Sequence, residues 1–268
     1  QYGVGSAGFG AWRELATHIM TTNWVITGEC ANFPIMYHWR ILPNSPDDIN
    51  INYWGDIEKY CQYWENSVAI RKRVQDLNHA SAHIALFLEY FPQNLHSFLN
   101  AQISKSDNSA ETAIAFVDEQ LRETNKHMNT FGLMHFDAHF ENILTDGKRI
   151  YLSDFGLALS SKFDLTPAEM EFLKQHQSYD QSCAAVNLLH CIITSLFGKE
   201  HWGIRLREYL AGELSNVPPA INTIINRYAP IALLMDEFFQ NLQKESKSTP
   251  YPATQLEKLP RTNSSKTT

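Results

Sequence analysis

The stretch Met134-His135-Phe136-Asp137-Ala138-His139-Phe140-Glu141-Asn142-Ile143-Leu144, followed by Leu152-Ser153-Asp154-Phe155-Gly156-Leu157-Ala158, decides how this chain is read. Two short runs of strand-forming residues, Ile143-Leu144 and Ile150-Tyr151-Leu152, flank Thr145-Asp146-Gly147-Lys148. In that turn the Asp-Gly pair supplies the positive φ angle of a hairpin. Asp137 and Asn142 stand before the hairpin, and Asp154 follows its second strand.

Upstream, Trp12, Leu15, Ala16, Ile19 and Met20 recur at three- and four-residue steps. They predict an amphipathic helix over 11–25 with Glu14 in its first turns. Residues 33–42 are rich in aromatic and β-branched types and predict a strand, followed by a long polar loop opening at Pro43-Asn44-Ser45-Pro46-Asp47-Asp48. Residues 83–90 predict a second strand, which Pro92 stops. Helical periodicity then takes over, at 95–101 and 110–131, and after the hairpin at 166–175, 181–197, 203–213 and 218–244. The last stretch, 246–268, is rich in Ser, Thr, Pro and Lys and is expected to be a disordered tail.

With 268 residues and 44% hydrophobic content the chain can bury a substantial core. A formal net charge of −7 without a Lys or Arg block argues against a surface for nucleic acid or an anionic membrane. The expected partners are a protein or a small hydroxylated substrate, with no nucleic acid and no membrane. Cys30, Cys61, Cys183 and Cys191 lack paired metal-ligand spacing and read as reduced core thiols. No apolar run approaches the about 20 residues that a membrane span needs, and no basic-then-apolar signal opens the chain. The expected location is cytoplasmic.

Phosphoryl transfer asks a protein for a residue that orients the attacking hydroxyl and for ligands of the cation that neutralises the phosphates. Asp137, Asn142 and Asp154 supply such groups. An isolated Asp-Phe-Gly is only a turn signal. Joined to His-x-Asp, with Asn five residues on and a hairpin between, the pattern resembles the protein-kinase-like superfamily, which includes protein kinases and small-molecule kinases such as aminoglycoside and choline phosphotransferases. The resemblance implies an α+β, bilobal fold, with a small mixed lobe over 1–91 and a mostly helical lobe over 92–245. It implies ATP and Mg2+ as cofactors. Asp137 would be the catalytic base or hydroxyl-orienting residue, Asn142 and Asp154 the Mg2+ ligands, and His135 a scaffold residue of the catalytic loop. Glu14 resembles the glutamate that pairs with a nucleotide-binding lysine; the alternative is a solvated surface charge. Leu88-Glu89-Tyr90-Phe91 resembles the hinge that passes the adenine, offering main-chain groups of Glu89 and Phe91; the alternative is an ordinary strand end. Asp180, at the head of an apolar helix, resembles an architectural position of the larger lobe and is also a common helix cap.

Two departures from the family pattern bear on function. No lysine occurs before Lys59, so the glycine-rich turn and lysine strand expected ahead of the Glu14 helix are missing. Gly3-Val4-Gly5-Ser6-Ala7-Gly8 satisfies Gly-x-Gly-x-x-Gly, but no strand precedes it and it reads as a loop. Either an upstream segment has been removed, as an opening Gln1 suggests, or the protein does without the lysine. On the substrate side, the segment between Asp154 and Asp180 lacks Ala-Pro-Glu, and Phe136 stands where phosphorylation-controlled kinases carry arginine. Control by phosphorylation of that segment is not expected. His139, two residues after Asp137, resembles the small-molecule kinases and sits either near the γ-phosphate or in a purely loop-structuring role. Asp-Phe-Gly-Leu-Ala is the protein-kinase form. Together with Phe163-Asp164-Leu165 it also resembles a bacterial group of uncharacterised kinase-like proteins. The expected function is phosphotransfer to a hydroxyl; the alternative is a pseudokinase or nucleotide-binding regulator.

Overall fold

The computed structural model describes residues 10–44, 56–198 and 201–259. The glycine pattern at 3–8, part of the 43–48 loop and the end of the tail lie outside them. The first helix, α1 (Ala11–Ile26), starts where Gly10 leaves extended backbone. Its buried face differs from the predicted one: Leu15, Thr17, His18, Thr21, Thr22 and Trp24 face inward, while Trp12 and Ile19 are exposed. Periodicity in apolar residues missed this because three threonines and a histidine carry the inner face. The hydroxyls of Thr17 and Thr21 bond back to the carbonyls of Arg13 and His18, which lets them enter the interior. Thr22 Oγ1 instead accepts the Met36 N–H at 2.9 Å and ties α1 to the strand that follows.

That strand, β1 (Met36–Pro43), pairs antiparallel with β2 (Ala82–Leu88), with Trp39 opposite Leu86 and Ile41 opposite Ile84. Trp39 meets Trp12 of α1 edge to face, at 6.4 Å between rings. The connection between the strands is not the long loop that was expected. It contains α2 (Ile57–Tyr63) and α3 (Val68–Asn78), each announced by a capping side chain, Asp56 and Ser67, that accepts from first-turn N–H groups.

The rest of the chain builds the main core. After β3 (Gln93–Asn94), Asn94 caps α4 (Leu95–Lys105) and Ser106 caps α5 (Asp107–Thr130). Four short strands follow: β4 (Leu133–Met134), β5 (Ile143–Thr145), β6 (Ile150–Leu152) and β7 (Leu159–Ser160). They form a three-stranded sheet in the order β3-β5-β6 and a separate β4-β7 pair. The Asp-Gly turn joins β5 to β6 as predicted, with Gly147 at φ +82°. Helices α6 (Pro167–Gln175), α7 (Tyr179–Phe197), α8 (Trp202–Leu210), α9 (Pro219–Lys244) and α10 (Ala253–Lys258) complete the chain. The architecture is mixed α+β.

Helix α7 is apolar around most of its circumference because it packs against α4, α5, α8 and α9 at once. Leu188, Leu189 and Ile192 are fully buried there, beside Leu99, Ile114, Val117 and Ile225. Each such side chain stabilises the fold by about 1.5–3 kcal/mol relative to exposure. Among the described residues no single helix is long and apolar enough to cross a membrane.

The expected disorder from residue 246 onward needs correction for its described part. Tyr251 bonds through its hydroxyl to Ser178 Oγ at 2.8 Å and Ser182 Oγ at 3.3 Å, and its ring stacks on His176. Lys247 places its ammonium 3.8 Å from the centre of the Tyr63 ring, and its N–H donates to Glu65. Composition argues only that such a segment cannot build its own core. Two anchors, Tyr251 and Leu256, suffice when a formed surface receives them. Tyr251→Phe is expected to cost about 1 kcal/mol in urea unfolding and Tyr251→Ala about 2–3 kcal/mol; an undocked segment would leave both midpoints unmoved.

Candidate functional site

The site begins where β4 ends. His135 is wholly buried and Phe136 adopts φ +62°, a left-handed conformation that is uncommon for a bulky residue. Two forces hold it. The Phe136 ring packs against Phe172 and Tyr179 at 5.4 and 5.3 Å. Asp180, in the first turn of α7 and 2% exposed, accepts the N–H groups of His135 at 2.6 Å and of Phe136 at 2.9 Å. Burial nonetheless pushes the Asp180 carboxyl up to about 6.

The His135 ring bridges the two halves of the motif. Asp137 N–H donates to its Nδ1 at 3.3 Å, so Nδ1 is the acceptor and Nε2 carries the proton given to the Ser153 carbonyl at 2.9 Å. Burial lowers its pKa to about 4, which keeps this neutral tautomer at ordinary pH. His135 therefore acts from within as a scaffold. Its ring lies 5.0 Å from Phe155, and Phe155 meets His18 of α1 edge to face at 4.8 Å.

Asp137, Asn142 and Asp154 are brought together around the hairpin. Asn142 Nδ2 donates to the Asp137 carbonyl at 3.0 Å and to its Oδ2 at 3.2 Å. Both partners are acceptors, so the amide nitrogen must face them and the amide oxygen is the atom left for a cation. The Asn142 carbonyl accepts from the Ser153 N–H and hydroxyl, which registers the strand leading to Asp154. Asp146 stiffens the hairpin tip by accepting the N–H groups of Lys148 and Arg149, both at 2.8 Å.

Asp154 is exposed and left-handed at φ +60°. Its Oδ1 accepts the Gly156 N–H at 3.3 Å. A Cβ placed on Gly156 would lie 3.3 Å from that oxygen and 4.0 Å from Glu14 Oε2, so the Glu14 carboxylate reaches the same spot. Burial raises the Glu14 pKa, and the Asp154 charge adds to it. Burial also raises Asp137; His139 opposes that rise, Asp154 adds to it and Asn142 opposes it. Burial is the main cause at both carboxyls, and the Asp154 charge is a smaller contribution common to them.

His139 lies close enough for its Nε2 to sit 4.0 Å from Asp137 Oδ1, a long contact, and both side chains are partly exposed. Glu89 is engaged structurally: its N–H donates to the Ile35 carbonyl at 2.7 Å and its Oε2 accepts the Ile35 N–H at 3.3 Å. Of its main-chain groups, the carbonyl remains for a ligand. Phe91 stacks on Tyr151 of β6 at 3.7 Å. His18 was missed by sequence reasoning, although its position one helical turn after Glu14 was the available signal. No protein-family model matches the chain, and comparison with curated proteins finds no similar one.

Stability should depend on pH with a definite sign. His18, His135 and His176 are each lowered from 6.5 to about 4, first of all by burial. Between those values the unfolded chain binds more protons, so stability rises with pH. Asp180, raised from 3.8 to about 6, works the other way, losing stability as pH climbs through that window. Glu14 and Asp137 add lesser contributions of the same sign. Three histidines outweigh the carboxyls, so the urea midpoint is expected to climb from pH 4 to 6.5. Asp180→Asn should steepen that climb. At pH 7 it should also cost about 1–3 kcal/mol, because its amide nitrogen confronts a buried N–H donor.

Proposed function

We propose that the chain is an ATP- and Mg2+-dependent phosphotransferase that moves a γ-phosphoryl group to a hydroxyl on a protein or small molecule. Its frame would be bilobal and protein-kinase-like, with a small mixed lobe to Phe91 and a helical lobe from Pro92. One observation carries the reading: Asp137, Asn142 and Asp154 flank a single hairpin, with the Asn142 amide nitrogen turned onto Asp137 and Asp154 near enough for its charge to act on that carboxyl. Among the described residues no three His, Cys, Asp or Glu side chains form a complete metal cage. Mg2+ does not need one, since it commonly takes one or two protein oxygens and completes its shell with phosphate and water. The Asn142 oxygen and the Asp154 carboxylate, with the Glu14 carboxyl close by, fit that habit. When bound, the cation supplies neutralisation of the phosphates.

The protein's own groups do the remainder. Asp137 accepts a hydrogen bond from the acceptor hydroxyl, aligns its oxygen and takes its proton as the new O–P bond forms and the bond to ADP breaks. Its raised pKa makes it a better base than an exposed aspartate. Asn142 holds that carboxylate in one orientation. His139 stands beside Asp137, where it can meet the transferring group. The main chain at Glu89 and Phe91, against the Tyr151 ring, would take the nucleotide base. Cys30, Cys61, Cys183 and Cys191 are free thiols, and we assign the activity to the cytoplasm, where thiols stay reduced.

A second reading, a nucleotide-binding regulator without efficient transfer, is favoured by one observation. Glu14 leans toward Asp154, and Lys59 and Lys72 pair with Asp56 and Asp76 in their own neighbourhoods. Transfer from γ-labelled ATP separates the two. Asp154→Ala is expected to abolish Mg2+-dependent nucleotide binding, and Asp137→Ala to lower turnover by about 10²–10⁴-fold with binding retained. Mg2+-dependent binding without turnover in the parent would select the regulator. Turnover indifferent to both substitutions would remove the site.

A further inference from the structure

Arg13 precedes Glu14 on α1 and points to a different part of the chain. Its Nη1 lies 2.7 Å from Glu169 Oε1 across 156 residues, with the Glu169 side chain 4% exposed and that of Arg13 21%. Its Nη2 reaches the Asp164 carbonyl at 3.5 Å, and its guanidinium lies 5.6 Å from the centre of the Phe163 ring. One side chain therefore grips three points of the segment that runs from Asp154 into α6. The second Glu169 oxygen accepts from the N–H and hydroxyl of Thr166 in a capping box that fixes the start of α6. The same helix that carries Arg13 presents Glu14 to Asp154 and His18 to Phe155. Both ends of the 154–169 segment are thus tied to α1.

We propose that Arg13 is a positioning residue: its partly buried ion pair with Glu169 latches the segment after Asp154 in the arrangement that assembles the site. The latch uses a carboxylate built into the chain, so no covalent modification is needed to set it. Phe136 beside it is uncharged and packs against Phe172 and Tyr179. The consequence for turnover builds on the phosphotransfer reading; the structural consequence does not.

The test uses the full chain with Arg13→Gln, Arg13→Lys and Glu169→Gln, each checked by thermal melting. Glu169→Gln is the informative partner, since glutamine can still serve the capping box while the charge is gone. Amide hydrogen exchange over 154–165 is expected to quicken about tenfold or more in Arg13→Gln and Glu169→Gln, with Arg13→Lys intermediate. In the same variants kcat should fall about 10- to 100-fold with little change in the KM for ATP, because a misplaced group costs rate. Unchanged exchange over 154–165 in both glutamine variants overturns the latch, even where Asp154→Ala abolishes turnover and the phosphotransfer reading stands. Faster exchange in both, in a parent without turnover, supports the latch and removes the phosphotransfer reading.

Discussion

The carboxylate of Asp180, sealed at the head of α7, accepts the backbone N–H groups of His135 and Phe136. Almost everything at the site follows from that contact. Helix α7 is the most heavily packed element of the chain, so its first turn is among the least mobile points available. Bonding the loop to it transfers that rigidity to a stretch holding a left-handed Phe136, a conformation that would relax without support. Burial of the carboxyl disfavours its charge, yet the two N–H donors need an acceptor with two oxygens. The fold accepts a poorly solvated anion in return for a fixed loop, which is how buried polar groups commonly confer one conformation rather than raw stability.

From that anchor the constraint propagates through neutral rings. His135 is kept uncharged by burial and uses both nitrogens, one toward Asp137 and one toward Ser153. It thereby spaces the carboxylate before the hairpin from the strand after it. Phe155 lies between His135 and His18, so α1 contacts the same stack. A charged imidazole at either place would bury an ion against an aromatic ring, and the lowered pKa values of both histidines express that cost. The polar site is thus registered by neutral rings, while the carboxyls of Asp137, Asp154 and Glu14 stand at its partly exposed side.

How much of this was legible in the sequence depends on whether the signal was local. The helices at 166–175 and 218–244, the hairpin at Asp146-Gly147 and the two strands at 33–42 and 83–90 came from periodicity and turn chemistry, both local properties, and their counterparts are present with shifted ends. Helices α2 and α3 escaped because they are short and mostly exposed, leaving only Asp56 and Ser67 as markers. The inner face of α1 was misassigned because Thr17, Thr21 and Thr22 are polar by composition yet satisfied by bonds to backbone groups. The docked segment around Tyr251 was invisible for the opposite reason: its partners, Ser178 and Ser182, are about 70 residues away. At the site, spacing singled out Asp137, Asn142 and Asp154; the Asn142 amide bonds Asp137, and Asp154 is near enough for its charge to act on Asp137. Arg13 and Glu169 carried no pattern, since an ion pair across 156 residues leaves no periodic trace.

The same distinction explains why α1 is the element whose position matters most and was least predictable. Its periodicity identifies it as a helix, but its rotation depends on tertiary contacts, among them Thr22 on β1, His18 on Phe155 and Arg13 on Glu169. These engage three different parts of the chain; spaced at five and four residues, they point to different sides of the helix, with Arg13 and Thr22 roughly opposite each other. A rotation that released one would disturb the others, because a helix turns as a rigid body. Glu14 lies next to Arg13, so its approach to Asp154 is determined by contacts that neither carboxylate makes. The approach of Glu14 to Asp154 is therefore a property of how α1 is clamped, and the clamp includes a partly buried ion pair, ring contacts and a hydrogen bond from the Met36 N–H to the Thr22 hydroxyl.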